Sequence, residues 1–182
     1  LAMSSAASDV YKRQIITEPN EILRQVSKPV QSVGNEERKL MDDMLETMYA
    51  ANGIGLAAIQ IGIPKRIIVM DISKDGQKNP MYFVNPTIKN KDKEKTTYEE
   101  GCLSVPDYFA EVDRPKYCEV EYLDYNGENK ILEADGLLAT CIQHEMDHLE
   151  GILFIDYLSK LKKTMIVKKL SKRKNPPDRI IV

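Results

Sequence analysis

The only two histidines of this chain, His144 and His148, stand four residues apart in the stretch QHEMDHLEG. Four residues is about one helical turn, so on a helix both imidazoles leave from the same face. Leu137, Leu138, Ile142 and Leu149 surround them with apolar positions, which predicts a largely buried helix. Buried imidazoles and the buried carboxylate of Glu145 need partners, and one divalent metal ion would satisfy them. Chance spelling of HExxH on an exposed polar helix occurs in about one chain of a few hundred, and the apolar flanks argue against it here. Glu145 directly follows the first histidine, which places its carboxylate beside an open coordination position where it can handle a water proton.

Two histidines are not enough, because a catalytic site of this kind takes three protein ligands and keeps one position open. The extension HExxHxxGxxH is absent, since there is no third histidine, and nothing downstream marks a helical glutamate ligand. A cysteine thiolate is the natural third donor, and there are three candidates: Cys102, Cys118 and Cys141. Cys141 shares the histidine stripe but begins ~4.5 Å along the axis from His144 and ~10 Å from His148, far for a short side chain. It reads better as a small apolar wall beside the site. Cys118 lies in the strand-like YCEVEY and reads as core. Cys102, in the glycine- and proline-flanked EEGCLSVP, is favoured, because a loop can deliver its thiolate to a helix distant in sequence.

The surrounding pattern predicts an α+β fold of short-stranded antiparallel or mixed sheets around that central helix, with an N-terminal and a C-terminal helix. Residues 36–51 have helical apolar spacing, with Asn35 as cap and Asn52-Gly53 as stop. A glycine-punctuated GIGLAAIQIG and the β-like RIIVMDI follow, then β-like runs over 81–125 and a hairpin at Asn126-Gly127. Asp135 is expected to cap the metal helix, 136–150, and a third helix runs from about Ser159 to Lys172. Residues 1–14 have no hydrophobic period and no signal-like apolar run, and are set aside as an extension; 15–175 form one catalytic domain and 176–182 a tail. No apolar run reaches the ~20 residues of a membrane span. With 26 basic and 28 acidic side chains, the net charge of −2 gives no general attraction to DNA or other nucleic acid. Three widely spaced cysteines fit a reducing, cytoplasmic compartment better than a disulfide framework.

Three segments, GIGLAAIQIG (53–62), EGCLSVP (100–106) and QHEMDHLEG (143–151), together resemble the signature motifs of bacterial peptide deformylases, in the right order. The resemblance runs from IITEPNEILRQVSKPV to the C-terminal helix. It implies that Cys102, His144 and His148 hold the metal and that Glu145 is the acid/base. It also implies that Gln60 and the backbone N–H of Leu103 stabilise the developing oxyanion. The implied reaction removes the formyl group from the N-terminal methionine of new polypeptides, so N-formylmethionyl peptides are the expected partners. One ion per chain is implied, natively Fe2+, with Zn2+, Ni2+ or Co2+ as substitutes that the donor set also accepts. Ile54, Gly55, Leu137 and Cys141 are the candidate substrate-binding residues; a plain core stripe is the alternative reading for the last two.

Residues 160–174 hold eight basic side chains and no acid. A solvated face with Leu161, Met165, Ile166 and Leu170 packed inward is one reading, and the resemblance implies another, a ribosome contact. An HExxH metallopeptidase and a structural metal-binding module are the competing functions. The thiolate loop argues against the first, and the spare carboxylate of Glu145 against the second.

Overall fold

The computed structural model describes residues 13–173, except residue 75. In chain order the elements are α1 (Asn35–Ala50), β1 (Gly55–Ala57), β2 (Ile67–Met70), β3 (Met81–Lys91), β4 (Lys95–Cys102), β5 (Val105–Pro115), β6 (Tyr117–Leu123), β7 (Asn129–Asp135), α2 (Gly136–Leu149) and α3 (Lys160–Ser171). Five strands form one sheet in the order β1-β2-β3-β6-β7, and β4 and β5 form a separate two-stranded sheet. All the strand pairs are antiparallel, as an α+β chain built from hairpins requires. Two strands, β3 and β5, reach eleven residues.

The apolar run in β2 is continuous because the strand is buried on both faces. Ile67 and Val69 point to one side, where they join Leu56, Val84 and the α1 residues Met41, Met44 and Met48. Ile68 and Met70 point to the other, where Phe83, Val120 and the α2 residues Ala139, Ile142 and Leu149 meet them. The large sheet is thus sandwiched between α1 and α2, and the metal-motif helix is fixed by its sheet-facing side. Each fully buried Ile or Met contributes about 1.5–3 kcal/mol. A third cluster, Val105, Val112, Leu153, Phe154, Ile155 and Leu170, ties the small sheet to the segment before α3.

Several local expectations are revised. Asn35 is the first residue of α1, not its cap; Gly34 holds the cap position, and the Glu37 carboxylate accepts its N–H at 3.1 Å. The chain leaves α1 through Asn52 in the left-handed region (φ 55°). Asp135 does stand at the cap of α2, but its side chain makes no capping bond, whereas the Ser159 hydroxyl accepts the Lys162 N–H at the start of α3. The hairpin between β6 and β7 is closed by Asp124, whose carboxylate accepts the N–H groups of Asn126 and Glu128. Arg13, within the segment set aside as an extension, donates its N–H to Thr47 and pairs with Asp43, so contacts with α1 begin there. On α3 only Leu170 is buried and Ile166 half-buried. Leu161 and Met165 are 72% and 51% exposed, because α3 lies at the molecule's edge with only the small cluster to rest on. Among the described residues no helix is long and apolar enough to cross a membrane.

Candidate metal centre

α2 carries Cys141, His144, Glu145 and His148, with Glu145 4% and His148 0% exposed and Glu145 lying directly against Gly55 of β1. Cys102 reaches them from the end of β4, where the ladder with β5 shifts register between Gly101 and Cys102. That irregularity turns the thiol inward. Cys102 Sγ lies 3.3 Å from His148 Nε2, and the donor atoms of Cys102, His144 and His148 all fall within 4.8 Å of one another. Cys118 is buried in the core of β6, where burial pushes its thiol up to about 11. Cys141 also stays out of the donor cluster; its Sγ faces the Ile54 carbonyl at 4.0 Å, and burial raises its thiol well above the usual range.

A cleft of about 460 Å³ opens over this cluster. Ile54, Gly55, Gln60, Leu103, Leu137 and Cys141 line it together with Cys102, His144 and Glu145. Ile54 and Leu137 are partly open to solvent at its edge, while Gln60 is 1% exposed. The Gln60 carbonyl oxygen accepts the Ala57 N–H at 2.9 Å, which turns its amide nitrogen toward Ser104 Oγ (3.1 Å) and Cys102 Sγ (3.6 Å). The backbone bond and the site-facing donor therefore belong to one side chain. Two glycines make room. A β-carbon at Gly53 would sit 2.7 Å from Leu103 Cδ1, and one at Gly55 would sit 2.8 Å from Glu145 Cδ.

Behind the cluster lies a charged chain that reading the sequence missed. His144 Nδ1 donates to Glu100 Oε2 at 2.8 Å, with the tautomer assigned from the acceptor-only carboxylate. Glu100 is gripped by Arg114 through two bonds, at 2.5 and 3.0 Å, and Arg114 also holds Asp147 at 2.8 Å. Tyr157 donates its hydroxyl to Asp147 and lies under the Arg114 guanidinium. Glu100 and Arg114 are 5% and 4% exposed. Two carboxylates against one guanidinium leave a net charge of −1 directed at His144, an arrangement that fixes the ring and increases its basicity as a ligand. Burial opposes the Glu100 charge, but the bonds from His144 and Arg114 outweigh it and lower its pKa. The one available signal was the acid two places before Cys102; Arg114 gave none, since β5 was not read as a strand.

Burial, reinforced by the negative charges of Glu100 and Asp147, pushes the Glu145 carboxyl up to about 7 against the pull of His144 and Arg114. Its Oε2 is buried without a hydrogen-bond partner among the described residues. Burial, together with His144, holds His148 neutral, well below the ordinary imidazole value. A soft thiolate, two imidazole nitrogens, a negative rear shell and an unpartnered carboxylate oxygen fit one divalent transition-metal ion.

Residues 12–164 match the family described as Polypeptide deformylase. The chain belongs to that family. It is 74% identical over 171 residues to a peptide deformylase of Pelagibacter ubique, covering 93% of this chain and 98% of that one. Among solved structures, the Ehrlichia chaffeensis peptide deformylase in complex with actinonin superposes with a TM-score of 0.87 at 44% identity, over 91% of this chain and 99% of that one. The Acinetobacter baumannii deformylase with Met-Ala-Ser bound gives a TM-score of 0.77 at 35% identity, over 81% of this chain and 98% of that one. The same α+β architecture is therefore shared with both solved structures.

Proposed function

We propose that this chain removes the formyl group from the N-terminal formylmethionine of newly made polypeptides, releasing formate, with one divalent ion held by Cys102, His144 and His148. The observation that carries the reading is the convergence of a β4 thiol on two α2 imidazoles under a peptide-sized cleft. An ion there supplies Lewis acidity, lowering the pKa of water toward ~7 and polarising a carbonyl. Fe2+ is proposed as the native ion, with Zn2+, Ni2+ or Co2+ as substitutes; thiolate-imidazole donors accept all four.

Glu145 takes a proton from the attacking water and later delivers it to the nitrogen of the leaving amine. Its carboxyl, raised by burial, is poised near neutrality for both transfers. As water adds to the formyl carbon, charge grows on the formyl oxygen, where the Gln60 amide and the Leu103 N–H donate. Each such donor contributes about 3–4 kcal/mol to the transition state. β1 is an edge strand of its sheet and borders the cleft, which supports a substrate peptide lying along Gly55 in extended form. Main-chain pairing of that kind is indifferent to sequence, as an enzyme acting on most new chains needs. Ile54, Leu137 and Cys141 are proposed as walls for the methionine side chain.

The proposed compartment is the cytoplasm, supported by three free cysteines. A ribosome contact is proposed for α3 and the residue after it, where Lys160, Lys168 and Lys172 are exposed, though Lys174 lies outside the described residues. Salt-sensitive co-sedimentation with ribosomes is expected, and its survival after deletion of residues 160–182 would remove that part of the proposal. The enzymatic reading is tested by anaerobic purification, metal analysis and a formate-release assay on formyl-Met-Ala-Ser with one sample. Glu145→Gln should keep the ion and lose turnover; full turnover in that variant, or hydrolysis of internal peptide bonds instead, would overturn it.

A further inference from the structure

A second concavity, of about 480 Å³, lies between β5 and α3. It meets the catalytic cleft at Phe109, which lines both and is 67% exposed. The Phe109 ring folds over Gly101, where a β-carbon would sit 2.5 Å from it, so the aromatic surface continues directly from the residue before Cys102. On the helix side the groove is apolar, formed by Leu158, Met165 and Ile166. Lys162 and Lys169 flank these, both exposed and without an ion pair among the described residues; Glu111 is the groove's one acid. On the strand side, β5 pairs only with β4 among the described residues, so alternate backbone N–H and C=O groups between Tyr108 and Glu111 face away from the ladder.

An open strand edge, an apolar wall at side-chain distance and two unpaired ammonium groups are what an extended, mildly acidic peptide needs. We propose that this groove receives the substrate polypeptide downstream of the cleft, from about the fourth residue onward. An extended chain advances about 3.3 Å per residue, and its first three residues occupy the cleft. The chain passes over Phe109, pairs along the outer edge of β5, sets apolar side chains against Leu158, Met165 and Ile166, and brings carboxylates to Lys162 and Lys169. The inference rests on the deformylase reading for what enters the cleft, while the groove's preference for acidic, apolar residues comes from its own lining.

The test compares formyl-Met-Ala-Ser with two octapeptides, formyl-Met-Ala-Ser-Ala-Leu-Glu-Leu-Glu and formyl-Met-Ala-Ser-Ala-Gly-Lys-Gly-Lys, on the metal-loaded full chain. The acidic octapeptide should show a kcat/KM about tenfold above the other two, mainly through KM, the size expected for two partly exposed charge contacts with apolar support. In the Lys162→Glu/Lys169→Glu variant that gain should vanish while the tripeptide rate stays within about twofold of the parent. Fluorescence anisotropy with the labelled, deformylated acidic octapeptide should show the same loss of affinity without any turnover. No gain in the parent, or a gain that survives the variant, overturns the groove. So does a variant that leaves octapeptide binding intact and weakens only ribosome co-sedimentation, which would assign the lysines to RNA. If no formylated substrate is hydrolysed, the deformylase reading falls, and the anisotropy result alone decides the groove.

Discussion

Replacing Gly55 with alanine puts a methyl group against the catalytic carboxylate. Its β-carbon would lie 2.8 Å from Glu145 Cδ and 2.9 Å from Cγ, and closer still to Oε1. Carbon atoms rest about 3.5–4.0 Å apart, so the carboxylate must retreat by about 0.7–1.2 Å. A displacement of about 1 Å costs about 100-fold in rate, or ~2.7 kcal/mol of barrier. The fold should tolerate the change, because the Gly55 φ is not in the left-handed region. Loss of unfolded-chain freedom gains about 0.4–1 kcal/mol, and overpacking costs about 1–3 kcal/mol. The assay is formate release from formyl-Met-Ala-Ser, with metal content measured on the same preparation. kcat should fall about 100-fold at unchanged metal content, since none of the three ligands is touched. A second variant sharpens this: the shorter carboxylate of Glu145→Asp relieves the overlap, so Gly55→Ala/Glu145→Asp should be no worse than Glu145→Asp alone. Activity of Gly55→Ala within threefold of the parent, with the alanine confirmed, would refute the argument that this contact positions the acid/base.

Arg114→Met leaves the buried Glu100 and the half-buried Asp147 carboxylates without their shared cation and should cost about 3–5 kcal/mol in a urea titration. Cys102→Ser should reduce bound Zn2+ or Co2+ well below one per chain in equilibrium dialysis, while the far-ultraviolet circular dichroism stays unchanged, because the sheets do not depend on the thiol. Far from the site, burial works against the Asp71 carboxylate, yet bonds from Ser73, Tyr49 and Asn79 bring it down to about 2. A folded pKa below the unfolded 3.8 means that its stabilisation, about 2 kcal/mol, is complete above about pH 5 and is lost as pH falls toward 2. Tyr49→Phe removes the 2.5 Å bond to Asp71 and should flatten that acid limb in denaturation midpoints measured from pH 5 to pH 2.

What could be read from residues alone was whatever depends on local spacing. One helical turn between His144 and His148 puts both rings on one face in any fold, and Glu145 travels with them. The continuous apolar run of β2 and the Asn126-Gly127 hairpin are similarly local. The α3 stripe was read less well, because helical spacing says which residues share a face but not whether anything covers it; Leu161 and Met165 remain open.

The sequence by itself determined the donor types and the helix that carries two of them, because covalent spacing and helical geometry survive any arrangement of the rest. Only the tertiary structure decided that Cys102 meets those rings, that the Gln60 nitrogen turns toward the thiol, and that Glu100, Arg114 and Asp147 stand behind His144. Those contacts join positions 14 to 46 residues apart, and sequence spacing carries no distance across such an interval until packing of the two sheets against α2 sets one.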